Sequence, residues 1–139
     1  MYAYRYCVAG RVLELQLPHE IEVTEGFAPF ASRETPDLQV EFSPVESLPP
    51  VDGAPVYQGL DFSVYVRGQS FVRQYREHTR LDVPYAQSCR TPEGETVRYL
   101  RTGLFAFQNA AVCFSHIALE ELLLGWDRLI LHASFVDSP

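Results

Sequence analysis

Apolar and polar residues alternate with a period of two along much of the chain. In YAYRYCV (2–8), Tyr2, Tyr4, Tyr6 and Val8 share one face, opposite Ala3, Arg5 and Cys7. After the Ala9-Gly10 break, Leu13, Leu15 and Leu17 alternate with Glu14 and Gln16, and Pro18 ends the run. Successive side chains of a strand point to opposite faces, so the two runs predict a β-hairpin. Further strands are expected at 38–42 (LQVEF), 62–68 (FSVYVRG), 70–76 (SFVRQYR) and 96–101 (TVRYLR). The runs at 109–114 (NAAVCF) and 128–136 (RLILHASFV) are continuously apolar, which suits strands covered on both faces. Turn chemistry separates the runs at Asp52-Gly53-Ala54-Pro55, Arg67-Gly68 and Thr91-Pro92-Glu93-Gly94. The proline-rich stretch 43–55 reads as a surface loop.

One helix is expected, over 115–125 (SHIALEELLLG). Ser115 is placed to cap it, and Gly125 sits where a left-handed C-terminal residue belongs. Ala118, Leu119, Leu122 and Leu123 form one apolar stripe, and Ile117 with Leu124 forms a second, narrower one. Two stripes suit either a helix well buried in its own domain or one with something packed on its far side. The resulting expectation is a mainly β (α+β) single domain over 1–139. It takes the form of an antiparallel sandwich or strongly bent sheet, with about seven to nine strands by the spacing of turn signals.

Composition narrows the function. The 139 residues suffice for one domain with a real core, and 47% hydrophobic content is that of a globular chain. The net charge of −7 speaks against nucleic acid, which requires a basic footprint. Residues 1–61 carry ten acids and three arginines, whereas residues 62–139 carry eight of each. Every basic residue is arginine. The absence of lysine excludes a phosphate-loop lysine, a Schiff-base lysine or a lysine general base within these residues. No run approaches the roughly 20 apolar residues of a membrane span. The N-terminal residues lack the charged start and apolar core of a signal peptide. Cys7, Cys89 and Cys113 are far apart and odd in number, so no disulfide framework is expected and a cytoplasmic location with reduced thiols follows.

Candidate chemistry is sparse. His19, His78, His116 and His132 show no metal-ligand spacing with one another or with the cysteines, and no metal site is assigned. Cys7 and Cys113 lie in apolar runs, where a thiol behaves as a small hydrophobe, and Cys89 has a basic neighbour in Arg90. No nucleophile elbow or acid–base pair stands out, so no catalytic residue is assigned. The densest basic run is 66–80. There Arg67, Arg73, Arg76 and Arg80 interleave with Phe71 and Tyr75, either as an anion or acidic-partner patch or as a solvated face paired with the acidic first half.

The segment Glu120-Glu121-Leu122-Leu123-Leu124 followed by Leu129-Ile130-Leu131-His132-Ala133-Ser134 carries a resemblance. A leucine- and glutamate-rich helix before a strand ending in His-Ala-Ser resembles the region just ahead of the phosphate loop in HPr serine kinase-related proteins. These belong to the phosphoenolpyruvate carboxykinase-like P-loop group. The resemblance is strong over 115–137 and diffuse before that. It implies that the chain is the N-terminal, non-catalytic part of a longer protein, structural or substrate-recruiting and inactive alone. It also implies a downstream P-loop domain of the same polypeptide as partner, with ATP and Mg bound only by the full-length protein and no cofactor in this chain. His132 falls at the margin of the family's nucleotide site, or is a hydrogen-bonded core histidine. Without its downstream neighbour the isolated chain is expected to self-associate through residues 117–136. The alternative is a stand-alone cytoplasmic β-rich binding module for a small ligand or peptide, suggested by eight tyrosines and nine phenylalanines.

Overall fold

The computed structural model describes residues 1–23, 25–77, 80–92, 94–101 and 107–117, with the backbone alone at 80–82. The expected strand at 128–136, His132, Leu124, Gly125 and the Arg80 side chain lie outside the described residues. Among the described residues the chain is mainly β, with eight strands in one open sheet and a single short helix. No described helix is long and apolar enough to cross a membrane.

The first hairpin follows the alternation. Strands β1 (Tyr2–Val8) and β2 (Arg11–Leu17) pair antiparallel from Tyr2↔Leu17 to Val8↔Arg11. Ala9 (φ 51°) and Gly10 (φ 79°) both take left-handed backbone, the geometry of a two-residue turn whose twist matches the strands. Next come β3 (Leu38–Val45), β4 (Tyr57–Gln58), β5 (Phe62–Arg67), β6 (Ser70–Glu77), β7 (Arg80–Thr91) and β8 (Gly94–Leu100). Their order across the sheet is β1-β2-β3-β8-β7-β6-β5-β4.

Three expectations need correction. First, the sheet is mixed: β3 pairs in parallel with both β2 and β8. Each of these parallel neighbours is reached through a long excursion, because a tight turn can join only antiparallel strands. Second, 109–114 is not a strand but the start of helix α1 (Ala110–Ser115). The Asn109 side chain caps it by accepting from the Val112 N–H (2.9 Å). Ala110, Cys113, Phe114 and Ile117 are buried, which is helical spacing rather than a strand covered on both faces. Ser115, expected to open a helix, is the last residue of α1 and donates its hydroxyl to the Val112 carbonyl (2.7 Å). Third, Ile117 is 3% exposed and belongs to the core, not to a second outward stripe.

The sheet also contains β7, which is not among the expected strands. Pro84 removes a ladder donor, and the register between β6 and β7 shifts on either side of Arg76, the residue paired with Pro84. A proline is tolerated in an inner strand at such an irregularity.

The core lies on one face. Tyr6, Leu13, Leu15, Leu17, Val40, Phe42, Tyr75, Ala86, Val97 and Tyr99 supply the sheet side. Ile21, Phe107, Ala110, Cys113, Phe114 and Ile117 cover them. Phe107 sits between Phe42 (5.2 Å) and Tyr99 (4.7 Å).

The opposite face is shaped by a topological necessity. β3 ends in the middle of the sheet, whereas the next strand in the chain, β4, is the far edge. The proline-rich connection therefore has to pass β8, β7, β6 and β5. It passes on the face away from the core, where the Gln87 amide of β7 donates to the Pro49 carbonyl (2.7 Å).

Candidate functional site

The second face is polar because the residues that alternate with the core leucines, valines and aromatics are glutamine, glutamate, threonine and arginine. The register aligns them in rows. Gln16, Glu41, Thr96 and Cys89 are successive cross-strand neighbours from β2 to β7. Arg98, Gln87, Gln74 and Ser63 form the next row from β8 to β5. At the β1 end the Glu14 carboxylate accepts from Gln16 (2.8 Å), Gln39 (3.2 Å) and Arg5 Nε (2.6 Å). The hydrogen bonds from Gln16 and Arg5 hold its carboxyl below the ordinary value. Glu14 is thus a satisfied anion that fixes three strands, not a free base.

Two adjoining hollows cross this face. One, of about 280 Å³, is lined by residues including Gln16, Gln39, Glu41 and Thr96. The other, of about 250 Å³, lies against Pro49, Pro50, Val51 and Asp52 of the crossing loop, with Arg67 and Gln87 on the sheet side. Cys89 and Arg98 line both, so the two hollows adjoin as a groove with these side chains between its halves. Its wall is rigid. Proline fixes φ, and the Gln87 amide that holds Pro49 also donates to Gln74 Oε1 (2.9 Å). At the end of the loop, Gly53 has φ +85°, and a Cβ there would lie 3.1 Å from Arg67 Nη2. Glycine thereby lets the Arg67 guanidinium pack against the backbone.

Of the four arginines of the 66–80 run, the three with described side chains do not share this surface. Arg67 faces the groove, at the end of β5. Arg73 is on the core face, paired with Val64 and Ser88, with its guanidinium 4.2 Å above the Phe62 ring. Arg76 donates to the Gly59 carbonyl. Strand alternation explains the separation of Arg67 from Arg73, since they stand at positions of opposite parity in a paired hairpin.

Arg98, which the sequence did not single out, is the arginine at the centre of the groove. It is partly buried, and among the described residues it has no hydrogen-bond or ion-pair partner. The available signal was the alternation Thr96-Val97-Arg98-Tyr99, which puts Arg98 opposite the core. Cys89 also lines the groove, but its neighbour Arg90 turns to the other face and binds Glu95.

No family model, curated protein or solved structure matches the chain. The site is therefore read from its chemistry alone. Among the described residues no three of His, Cys, Asp and Glu are gathered as a metal would need.

Two further constellations lie on the core face. His116, 7% exposed, touches the rings of Tyr75 (4.7 Å) and Phe107 (4.8 Å). Its Nδ1–H donates to the Val112 carbonyl (2.8 Å), and its Nε2 accepts from the Tyr85 hydroxyl (2.7 Å), the assignment that satisfies both nitrogens. Burial pushes the imidazole below its ordinary value. It also pushes the Tyr85 phenol up to about 12, with Asp61 and Glu77 adding to the effect. This pair locks α1 to β7 as a neutral unit. Beside β1, an apolar hollow of about 270 Å³ is lined by Tyr6, Cys7, Val8, Phe27, Phe30 and Phe114.

Proposed function

We propose that the chain is a non-catalytic recognition domain, recruiting substrate for an ATP-dependent enzyme that resembles HPr serine kinase. The groove on the polar face holds the recruited segment. The observation that carries this reading is the pair of adjoining hollows that share Cys89 and Arg98, walled on one side by a proline loop that the topology forces across the sheet. Its lining offers amides, hydroxyls, carboxylates and guanidinium groups, which suits a polar segment more than an apolar one. The leucine- and glutamate-rich run and the His-Ala-Ser sequence within 115–137 support the link to the kinase family by resemblance, and ATP and Mg belong to the phosphate-loop domain of that longer protein.

The test uses the full-length enzyme with Thr96→Trp, which fills the first hollow without touching the core. The KM for the protein substrate should rise about tenfold or more, equivalent to a loss near 1.4 kcal/mol, with kcat and the KM for ATP unchanged. An unchanged substrate KM sinks the recruiting role. In the same reading the isolated chain self-associates through residues 117–136. Sedimentation at about 100 µM, within the range where exposed edges associate, should show Leu124→Glu shifting the chain towards monomer.

A second reading is a stand-alone module for a small ligand, and the aromatic hollow around Tyr6, Phe27, Phe30 and Phe114 favours it. The reading frame discriminates. Continuation into G-x-x-x-x-G-K-[ST] supports the kinase-linked domain, and a stop codon supports the module.

A further inference from the structure

We infer that the half of the groove beneath the proline loop is an anion site, in which Arg98 and Arg67 hold a carboxylate or phosphate group. The inference rests on the groove reading above and names the chemistry of what the groove takes.

Arg98 is the anchor. Its side chain projects from β8 on the polar face, it is partly buried, and among the described residues nothing pairs with it. Its guanidinium nitrogens keep some access to water and make no bond to a described residue, so they can meet an acceptor from outside. Arg67 lines the same hollow from the end of β5, across the sheet. Against these two cations the hollow sets one carboxylate, Asp52. Within this half the balance is 2 − 1 = +1, and the adjoining half sets Glu41 on the other side of Arg98, on a chain whose net charge is −7. A guanidinium fork matches the oxygen spacing of carboxylate and phosphate, and a charge-assisted bond of this kind is stronger than a neutral one.

The cradle is organised in advance. The Gln87 amide fixes the Pro49 carbonyl, and Gly53 leaves the space that the Arg67 guanidinium occupies. Arg67 also donates to the Val66 carbonyl (3.1 Å) and lies 5.7 Å from the Tyr65 ring centre. Arg67 therefore arrives at the hollow already held, which lowers the entropy lost when an anion binds. Size restricts the ligand. At about 250 Å³ the hollow falls below the ~300–1,000 Å³ of sites for drug-sized molecules. It fits a small anion or one anionic side chain. The adjoining hollow, lined by Gln16, Gln39, Glu41 and Thr96, takes the polar atoms attached to that group.

The experiment titrates the 139-residue chain with inorganic phosphate, with acetate, and with short peptides carrying one phosphoserine or one aspartate, at constant ionic strength. Backbone amide shifts of Gln87, Cys89 and Arg98 and the Arg98 Nε–H signal are followed by NMR. Saturable shifts confined to these residues and to 49–53 are expected. Binding of free phosphate or acetate identifies a small-anion site, whereas binding of the peptides alone identifies an anionic side chain of a protein segment. Either result supports the site. Arg98→Gln should weaken binding at least about tenfold, Arg67→Gln less, and exposed Arg33→Gln not at all. Arg98→Lys keeps the charge without the fork and should fall between, and it serves if Arg98→Gln does not fold. Absence of saturable binding by every probe overturns the inference. So does equal binding by wild type, Arg98→Lys and Arg67→Gln. If anions bind while Thr96→Trp leaves the substrate KM unchanged, the anion site stands and only the recruiting role falls.

Discussion

The strands that carry Cys89 and Arg98 on the polar face are tied together on the opposite face by one buried ion pair, so replacing Arg90 with leucine should be severe. The Glu95 side chain is 0% exposed and that of Arg90 is 17% exposed. Arg90 donates through Nε (3.1 Å) and Nη2 (2.9 Å) to Glu95 Oε2, and Ser88 Oγ donates to Oε1 (2.6 Å). Arg90→Leu strips both donors from one oxygen and leaves a buried carboxylate held only by a serine. Breaking a buried pair on one side typically costs about 3–5 kcal/mol, because the remaining charge is uncompensated. The double variant Arg90→Leu/Glu95→Leu removes the charge as well. It should lie within about 1–2 kcal/mol of wild type, the residue being chiefly the Ser88 hydroxyl left without its acceptor. Urea denaturation read at the midpoint, with m checked for constancy, measures all of these variants. The decisive outcome is the order: the double variant must be more stable than Arg90→Leu alone. If Arg90→Leu loses less than about 1 kcal/mol, or the losses of Arg90→Leu and Glu95→Leu measured singly simply add in the double variant, Glu95 is not a charge dependent on Arg90 and the reasoning fails.

Other expectations concern pH, the loop and the helix. The His116 imidazole is held below its ordinary value near 6.5, so the unfolded chain binds the extra proton first. Stability should be full above that pH and decline as pH falls below it. His116→Gln should flatten this limb of a melting-temperature profile, and Tyr85→Phe, which leaves Nε2 without its donor, should lose about 1–2 kcal/mol at neutral pH. Glu14, also held below its ordinary value of 4.5, contributes stability above that pH that is lost at lower pH, so the two groups separate in a titration. Gly53→Ala forces an L side chain into left-handed backbone and against the Arg67 guanidinium. It should destabilise the chain by about 1 kcal/mol and move the Arg67 Nε–H signal. Asn109→Ala removes the cap of α1 and should cost about 1 kcal/mol in a thermal or urea melt.

What the sequence determined by itself was the assignment of side chains to faces. Tyr4, Tyr6, Leu13, Leu15 and Leu17 share the core face because strand geometry repeats every two residues, and Gly10 marks the turn because glycine takes left-handed backbone freely. The same parity places Arg98 opposite Val97 and Tyr99, so half of the groove's chemistry was already written in 96–99. Local pattern misled where two periods compete. The short apolar run 109–114 fits a doubly covered strand as well as a helix, and only the burial of Ala110, Cys113, Phe114 and Ile117 together decides for the helix. β7 was not expected, and the shifted register that accommodates its Pro84 is a property of the β6–β7 pair, not of either strand. Strand order lay beyond the sequence altogether. Parity says which face a residue takes but not which strand becomes its neighbour, and that choice depends on burying the whole core at once. Placing β8 beside β3 and β4 at the far edge forces the proline loop across the polar face, and that crossing brings Asp52, Arg67 and Arg98 to one hollow.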